Sequence, residues 1–167
     1  MMKRKNALEN VLRSAAETDT LTGLPNRYYM EQFILQEEEE GSLTALFVFD
    51  VNYLKKTNDK EGHSAGDALL QRAAKCISAC FKDFSDAKCF RYGGDEFVAI
   101  MKNCGEEDVA GVRERFDEMQ KKFDVSIAVG RAYSPDVNKL TVKELFDAAD
   151  GKMYKDKNRI HKQDDAD

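Results

Sequence analysis

The chain has 167 residues, 42% hydrophobic and 34% charged, with a formal net charge of −5. That length suits one domain with a single core and a short appendage, and the lack of any long Lys/Arg block argues against a nucleic-acid partner. No apolar run approaches a membrane span and the start lacks a signal-peptide apolar core, so a cytoplasmic protein with no membrane contact within this chain is expected.

Residues Met1 to Glu17 read as a short helix with a narrow stripe of Leu8, Val11, Leu12 and Ala15, either a packing helix or a connector. A turn-rich segment, Asp19 to Arg27, leads into a helix expected from about Asn26 to Glu38 that buries Tyr29, Met30, Phe33 and Ile34. The acidic run Glu37 to Glu40 reads as its solvated end. Leu43 to Val51 is almost wholly apolar, as in a strand covered on both faces, and Asp50 interrupts it near its end.

Asn52 to Gly62 reads as a helical turn and loop. Ser64 to Phe81 reads as a long helix, with Ser64 as its cap and Asp67 in its first turn. A hairpin follows over about Lys88 to Met101, turning at Gly93-Gly94. Glu106 to Lys122 has helical spacing, Val125 to Tyr133 reads as a strand, and Thr141 to Glu144 is a capping box that opens a last helix. These elements describe an α/β sandwich with a largely antiparallel sheet flanked by helices. The four cysteines contain no Cys-x-x-Cys pair, and neither His63 nor His161 stands at a zinc-like spacing to them, so free thiols in a reducing compartment are expected.

The chemistry-bearing residues gather at strand ends. Asp95 and Glu96 directly follow the Gly-Gly pair, and Asp50 closes a buried run. If the two strands are neighbours, the three carboxylates converge and repel unless a cation neutralises them. An oxygen-only set of this kind favours Mg²⁺ or Mn²⁺, and a pair of such ions serves in-line displacement at phosphorus. The plainer alternative is a hairpin with solvent-facing acids and an Asp50 that never meets it.

Arg91-Tyr92-Gly93-Gly94-Asp95-Glu96-Phe97, the segment Asp50 to Asp67, and Asp19-x-Leu-Thr-Gly-Leu-x-Asn-Arg27 together resemble the GGDEF domains, the diguanylate cyclases. The resemblance covers about Asp19 to Lys157. It implies a palm-like fold related to nucleotidyl cyclases and polymerase palms, a connector over 1–18, a catalytic domain over 19–162 and a tail over 163–167. It also implies condensation of two GTP molecules to cyclic di-GMP and two pyrophosphates, with two Mg²⁺ or Mn²⁺ per active half-site, in a transient homodimer. A sensor domain outside this chain would supply the signal.

By the same resemblance, Asp50, the Val51 carbonyl, Asp95 and Glu96 would hold metal, with Glu96 beside the attacking 3′-hydroxyl. Asn58 and Asp67 would read guanine. The backbone N–H groups of Tyr53 and Leu54 would approach the phosphates, with Lys55 and Lys157 as their cations. An acceptor pair suits guanine's N1–H and exocyclic amine, whereas adenine would leave two acceptors facing one another.

There are three departures from the family pattern. Asn52 stands where a second Asp is common, and His161 where an Arg usually follows the lysine by one turn. Phe84 and Ala87 occupy the places of an inhibitory Arg-x-x-Asp site, so no product inhibition through that site is expected. Asn52 and His161 keep open the alternative of a catalytically weak or inactive GTP-binding module with a regulatory or scaffold role.

Overall fold

Leu43–Val51 (β1) is buried along its whole length, and alternate residues serve two different cores. Ala45, Phe47, Phe49 and Val51 face one layer, while Leu46 and Val48 face the other. A near-continuous apolar run is what a strand covered on both faces requires. The computed structural model describes residues 9, 11–13, 15–40, 43–135 and 140–165.

The hairpin pairs Ala87–Arg91 (β2) with Glu96–Lys102 (β3), and Ile127–Tyr133 (β4) completes a four-stranded sheet in the order β2-β3-β1-β4. Every pairing in it is antiparallel. Helices Arg27–Glu40 (α1) and Val142–Asp164 (α5) cover the face carrying Leu46, Val98 and Ile100. His63–Phe81 (α3) and Glu106–Phe123 (α4) cover the other, where Phe47, Phe49, Phe81 and Phe116 form an aromatic cluster. The layered α/β architecture expected from the sequence is thus present, and the Thr141–Glu144 capping box closes with Thr141 Oγ1 accepting from the Glu144 amide.

Some local expectations change. The segment after β1 is a true helix, Leu54–Glu61 (α2). Because α2 runs to Glu61 and the chain breaks at Gly62, α3 begins at His63 without a side-chain cap. Ser64 therefore lies inside the helix, and Asp67 falls beyond its first turn. Glu37 is not a solvated terminal acid. It is 3% exposed and accepts from Lys102 Nζ at 2.9 Å, because the end of β3 brings an ammonium beneath α1. Before α1, Val11, Leu12 and Ala15 are exposed on helical backbone, so the apolar stripe does not pack on the body; Leu8 lies outside the described residues.

One glycine decides how closely α5 approaches the sheet. A Cβ on Gly130 of β4 would stand 1.9 Å from the Ala149 carbonyl oxygen and 2.2 Å from the Met153 nitrogen. With no side chain there, the α5 backbone lies directly on β4, which sets the reach of every α5 side chain farther along the helix.

Candidate active site

Strand register brings the acids together. Asp50 of β1 is directly opposite Glu96 of β3, and the Val51 amide donates to the Asp95 carbonyl at 2.9 Å. Side chains alternate across a strand, so Asp50, two residues past Val48, points to the face covered by α5. From that helix Lys157 reaches back and donates to Asp50 Oδ1 at 2.9 Å.

The electrostatics follow from this crowding. Asp50 is 6% exposed, and burial raises its proton affinity. The Lys157 hydrogen bond works against that and the charge of Asp95 adds to it, with a net upward shift. Glu96 is also pushed up, first by burial and then by Asp50, Asp95 and Asp150. Partial burial pulls Lys157 down, but the Asp50 hydrogen bond and the surrounding carboxylates leave its ammonium held more firmly than usual. Like charges that raise one another's pKa mark a site short of positive charge.

Among the described residues no three His, Cys, Asp or Glu side chains are already gathered as a metal-holding group. The donor chemistry nonetheless fits a hard divalent cation: the acids offer only oxygen, and the charged forms of Asp50 and Glu96 are disfavoured by neighbouring carboxylates. Lys157 supplies the counter-charge in this structure.

A cleft of about 730 Å³ opens beside the acids, walled by Val51 to Lys56, Asp59, Lys60, Asp95, Lys157 and His161. It brings together Val51, Tyr53, Leu54, Lys55, Asp95 and Lys157 of the expected site. Tyr53 holds the turn at its mouth in a left-handed conformation, φ 66°, which costs a non-glycine residue about 1–2 kcal/mol. Arg159 is turned away, bound to Asp156 and Gln163, and neither it nor Lys162 lines the cleft.

Asn58 and Asp67 are not among the cleft walls. Asp67 is exposed on α3. Asn58 on α2 tucks its side chain over Gly66, whose added Cβ would stand 1.8 Å from Asn58 Oδ1. That oxygen is buried and meets no donor among the described residues. A buried acceptor without a partner is costly, and it invites a ligand N–H.

The opening motif and the hairpin are joined by a connection that no sequence pattern announces. Arg91 Nη1 donates to both oxygens of Asp19, while its Nε and Nη2 donate to the carbonyls of Gly93 and Gly94. Asp19 also accepts from the Thr22 amide and hydroxyl. Burial raises the Asp19 pKa, but these hydrogen bonds outweigh it and the carboxyl lies below its ordinary value. The opening motif thus latches the Gly-Gly turn through a charge-assisted fork. The signal was an acid in one motif and an arginine in another, but nothing in their spacing pairs residues 72 positions apart.

The diguanylate cyclase GGDEF domain profile matches residues 16–163. The chain belongs to the GGDEF family. Diguanylate cyclase A of Treponema denticola is 28% identical over 92% of this chain and 48% of its own length. Diguanylate cyclase DgcS of Shewanella oneidensis is 33% identical, with 83% and 49% covered. The chain therefore spans about half the length of these two relatives. A solved structure, the coiled coil and GGDEF domain of DgcB from Caulobacter crescentus in complex with c-di-GMP, shares the fold with a TM-score of 0.82. It is 24% identical, with 94% of this chain and 88% of that one covered.

Within the described residues no helix is long and apolar enough to cross a membrane.

Proposed function

We propose that this GGDEF domain is a diguanylate cyclase that condenses two GTP molecules into cyclic di-GMP with release of two pyrophosphates. The observation that carries the reading is the register pairing of Asp50 with Glu96, with Lys157 bound to Asp50 and with Asp95 and Lys157 lining the adjoining open cleft. The names of the relatives support it.

Asp50, Asp95, Glu96 and the Val51 carbonyl would hold Mg²⁺ or Mn²⁺, two per half-site, and bound metal would supply charge stabilisation at phosphorus. The chain's own residues account for the rest. The amides of Tyr53 and Leu54 and the ammonium groups of Lys55 and Lys157 bind the phosphates along the cleft. Asn58 Oδ1, now without a donor, accepts from guanine, and Asp67 takes the remaining N–H groups; ATP lacks that donor pattern. Glu96 orients the 3′-hydroxyl and accepts its proton, a role its raised proton affinity favours.

One domain offers one such cleft, so two copies face each other transiently. Each 3′-oxygen bonds to the other nucleotide's α-phosphorus as the bond to pyrophosphate breaks. Residues 1–18 act as a connector to a sensor beyond this chain, 19–162 as the catalytic domain and 163–167 as a tail. Phe84 packs on the core and Ala87 begins β2, so neither offers a charged contact to the product.

The test is product analysis after incubating the purified chain with GTP and Mg²⁺ or Mn²⁺. Cyclic di-GMP and pyrophosphate are expected, with neither formed from ATP. Bound GTP without pyrophosphate would make the domain a regulatory nucleotide-binding module instead.

A further inference from the structure

Two of the three departures from the family pattern touch one another. His161 Nε2 lies 3.3 Å from Asn52 Oδ1, and its ring packs on Tyr53 with centroids 5.3 Å apart. Asn52 is itself anchored to the segment before β4. Its amide N–H donates to the Ser126 carbonyl at 2.9 Å, and its Nδ2 donates to Ser126 Oγ at 3.0 Å. With Nδ2 committed to Ser126, the atom turned toward α5 is the oxygen, an acceptor only. His161 must therefore present Nε2–H to it.

The residue between these contacts is Tyr53, in the left-handed region at φ 66°. An aromatic residue keeps that conformation only where its surroundings enforce it. Ser126 and Asn52 hold one side of the turn, and the imidazole of His161 holds the other. The Tyr53–Leu54 turn also lines the cleft and opens α2.

We infer that His161 is a positioning residue: it clamps the strained Asn52–Tyr53 turn, through Asn52 Oδ1 and the Tyr53 ring, and is not itself a phosphate ligand. Asn52 and His161 form a matched pair, in which the amide oxygen takes the Nε2–H that would otherwise be free for an anion. Lys157 is then the α5 cation left to the cleft, and His161 acts on nucleotide binding only through the backbone it holds. The link to nucleotide rests on the cyclase reading; the clamp itself does not.

The experiment is a double-mutant cycle on the full chain with His161→Ala, Asn52→Ala and the pair. Its readouts are affinity for a non-hydrolysable GTP analogue with Mg²⁺, melting temperature, and imidazole ¹⁵N shifts of the free protein. Each single change should weaken analogue binding about three- to tenfold, the range of one net hydrogen bond. The double variant should bind no worse than the weaker single, because the residues act as a unit. His161→Gln, which keeps an N–H donor for Asn52, should recover part of the loss. In the free wild-type protein the His161 shifts should report the Nε2–H tautomer, and Asn52→Ala should change them.

Additive losses would overturn the inference. So would wild-type affinity in Asn52→Ala beside impaired affinity in His161→Ala, which marks a direct phosphate ligand. Should even the wild type fail to bind the analogue, the cyclase reading falls, and the shifts and melting-temperature cycle still decide the clamp. Non-additive destabilisation with shifted ¹⁵N signals would uphold it, and additive destabilisation with unchanged signals would reject it.

Discussion

Asp50 and Glu96 are placed by strand register and Asp95 by the turn that precedes β3, whereas Lys157 and His161 reach the adjoining cleft from a helix resting on the sheet. At the acid end, β1 and β3 are locked between two buried layers, so a one-residue slip would drive every side chain into the wrong core and turn Asp50 off its face. At the other end, the reach of α5 depends on how closely it lies over Gly130. The first end is over-determined in position but strained in charge. The second is relaxed in charge but set by a single close approach. A site built this way should lose chemistry from changes at one end and geometry from changes at the other.

The largest loss should come from the acids. Asp95→Ala should lower the rate of product formation by on the order of 10³-fold while leaving the fold intact, as circular dichroism and a turnover assay would show. At the helix end, Gly130→Ala should cost about 1–3 kcal/mol of stability by forcing α5 off the sheet, and denaturant unfolding would read it. The same variant should weaken phosphate binding with less effect on preference for guanine. Gly66→Ala should do the reverse. Its methyl group displaces Asn58, so preference for GTP over ATP should fall about tenfold in competition binding.

The smallest effect concerns charge alone. The Glu96 pKa is raised in the folded protein, so the folded state holds that proton more tightly than the unfolded chain does. Stability from this group is present below the ordinary carboxylate pKa and is lost as pH rises through the raised value. Glu96→Gln should therefore stabilise the metal-free protein near pH 7, by about 2–4 °C in melting temperature, and make little difference near pH 4. Mg²⁺ should narrow the gap by neutralising the wild-type cluster.

The same contrast governs what could be read from the sequence. The span of β1, the capping box of α5 and the antiparallel layers all follow from local patterns, and the structure contains them. Of the four α1 residues expected inside, Met30 is buried and Tyr29, Phe33 and Ile34 are partly buried against the same core. The convergence of Asp50 with the hairpin was legible only on the condition that the two strands are neighbours, and the antiparallel pairing of β1 with β3 supplies that condition. What escaped was long-range and side-chain based: the Arg91–Asp19 latch, the Lys102–Glu37 pair beneath α1, and the contact of His161 with Asn52. Each joins residues whose identity suggests a polar surface role, and no local pattern reports a partner that far along the chain. The start of α3 was misplaced for a different reason, because Gly62 ends one helix and begins the next with no side-chain cap to mark it.

The most direct test of the account is the rate of cyclic di-GMP formation from GTP and Mg²⁺ measured against protein concentration, with Asp95→Ala alongside. Two facing half-sites predict cyclic product whose rate per molecule rises with concentration and falls on the order of 10³-fold in the variant. GTP bound without pyrophosphate release, or a rate strictly proportional to protein in a verified monomer, would contradict it.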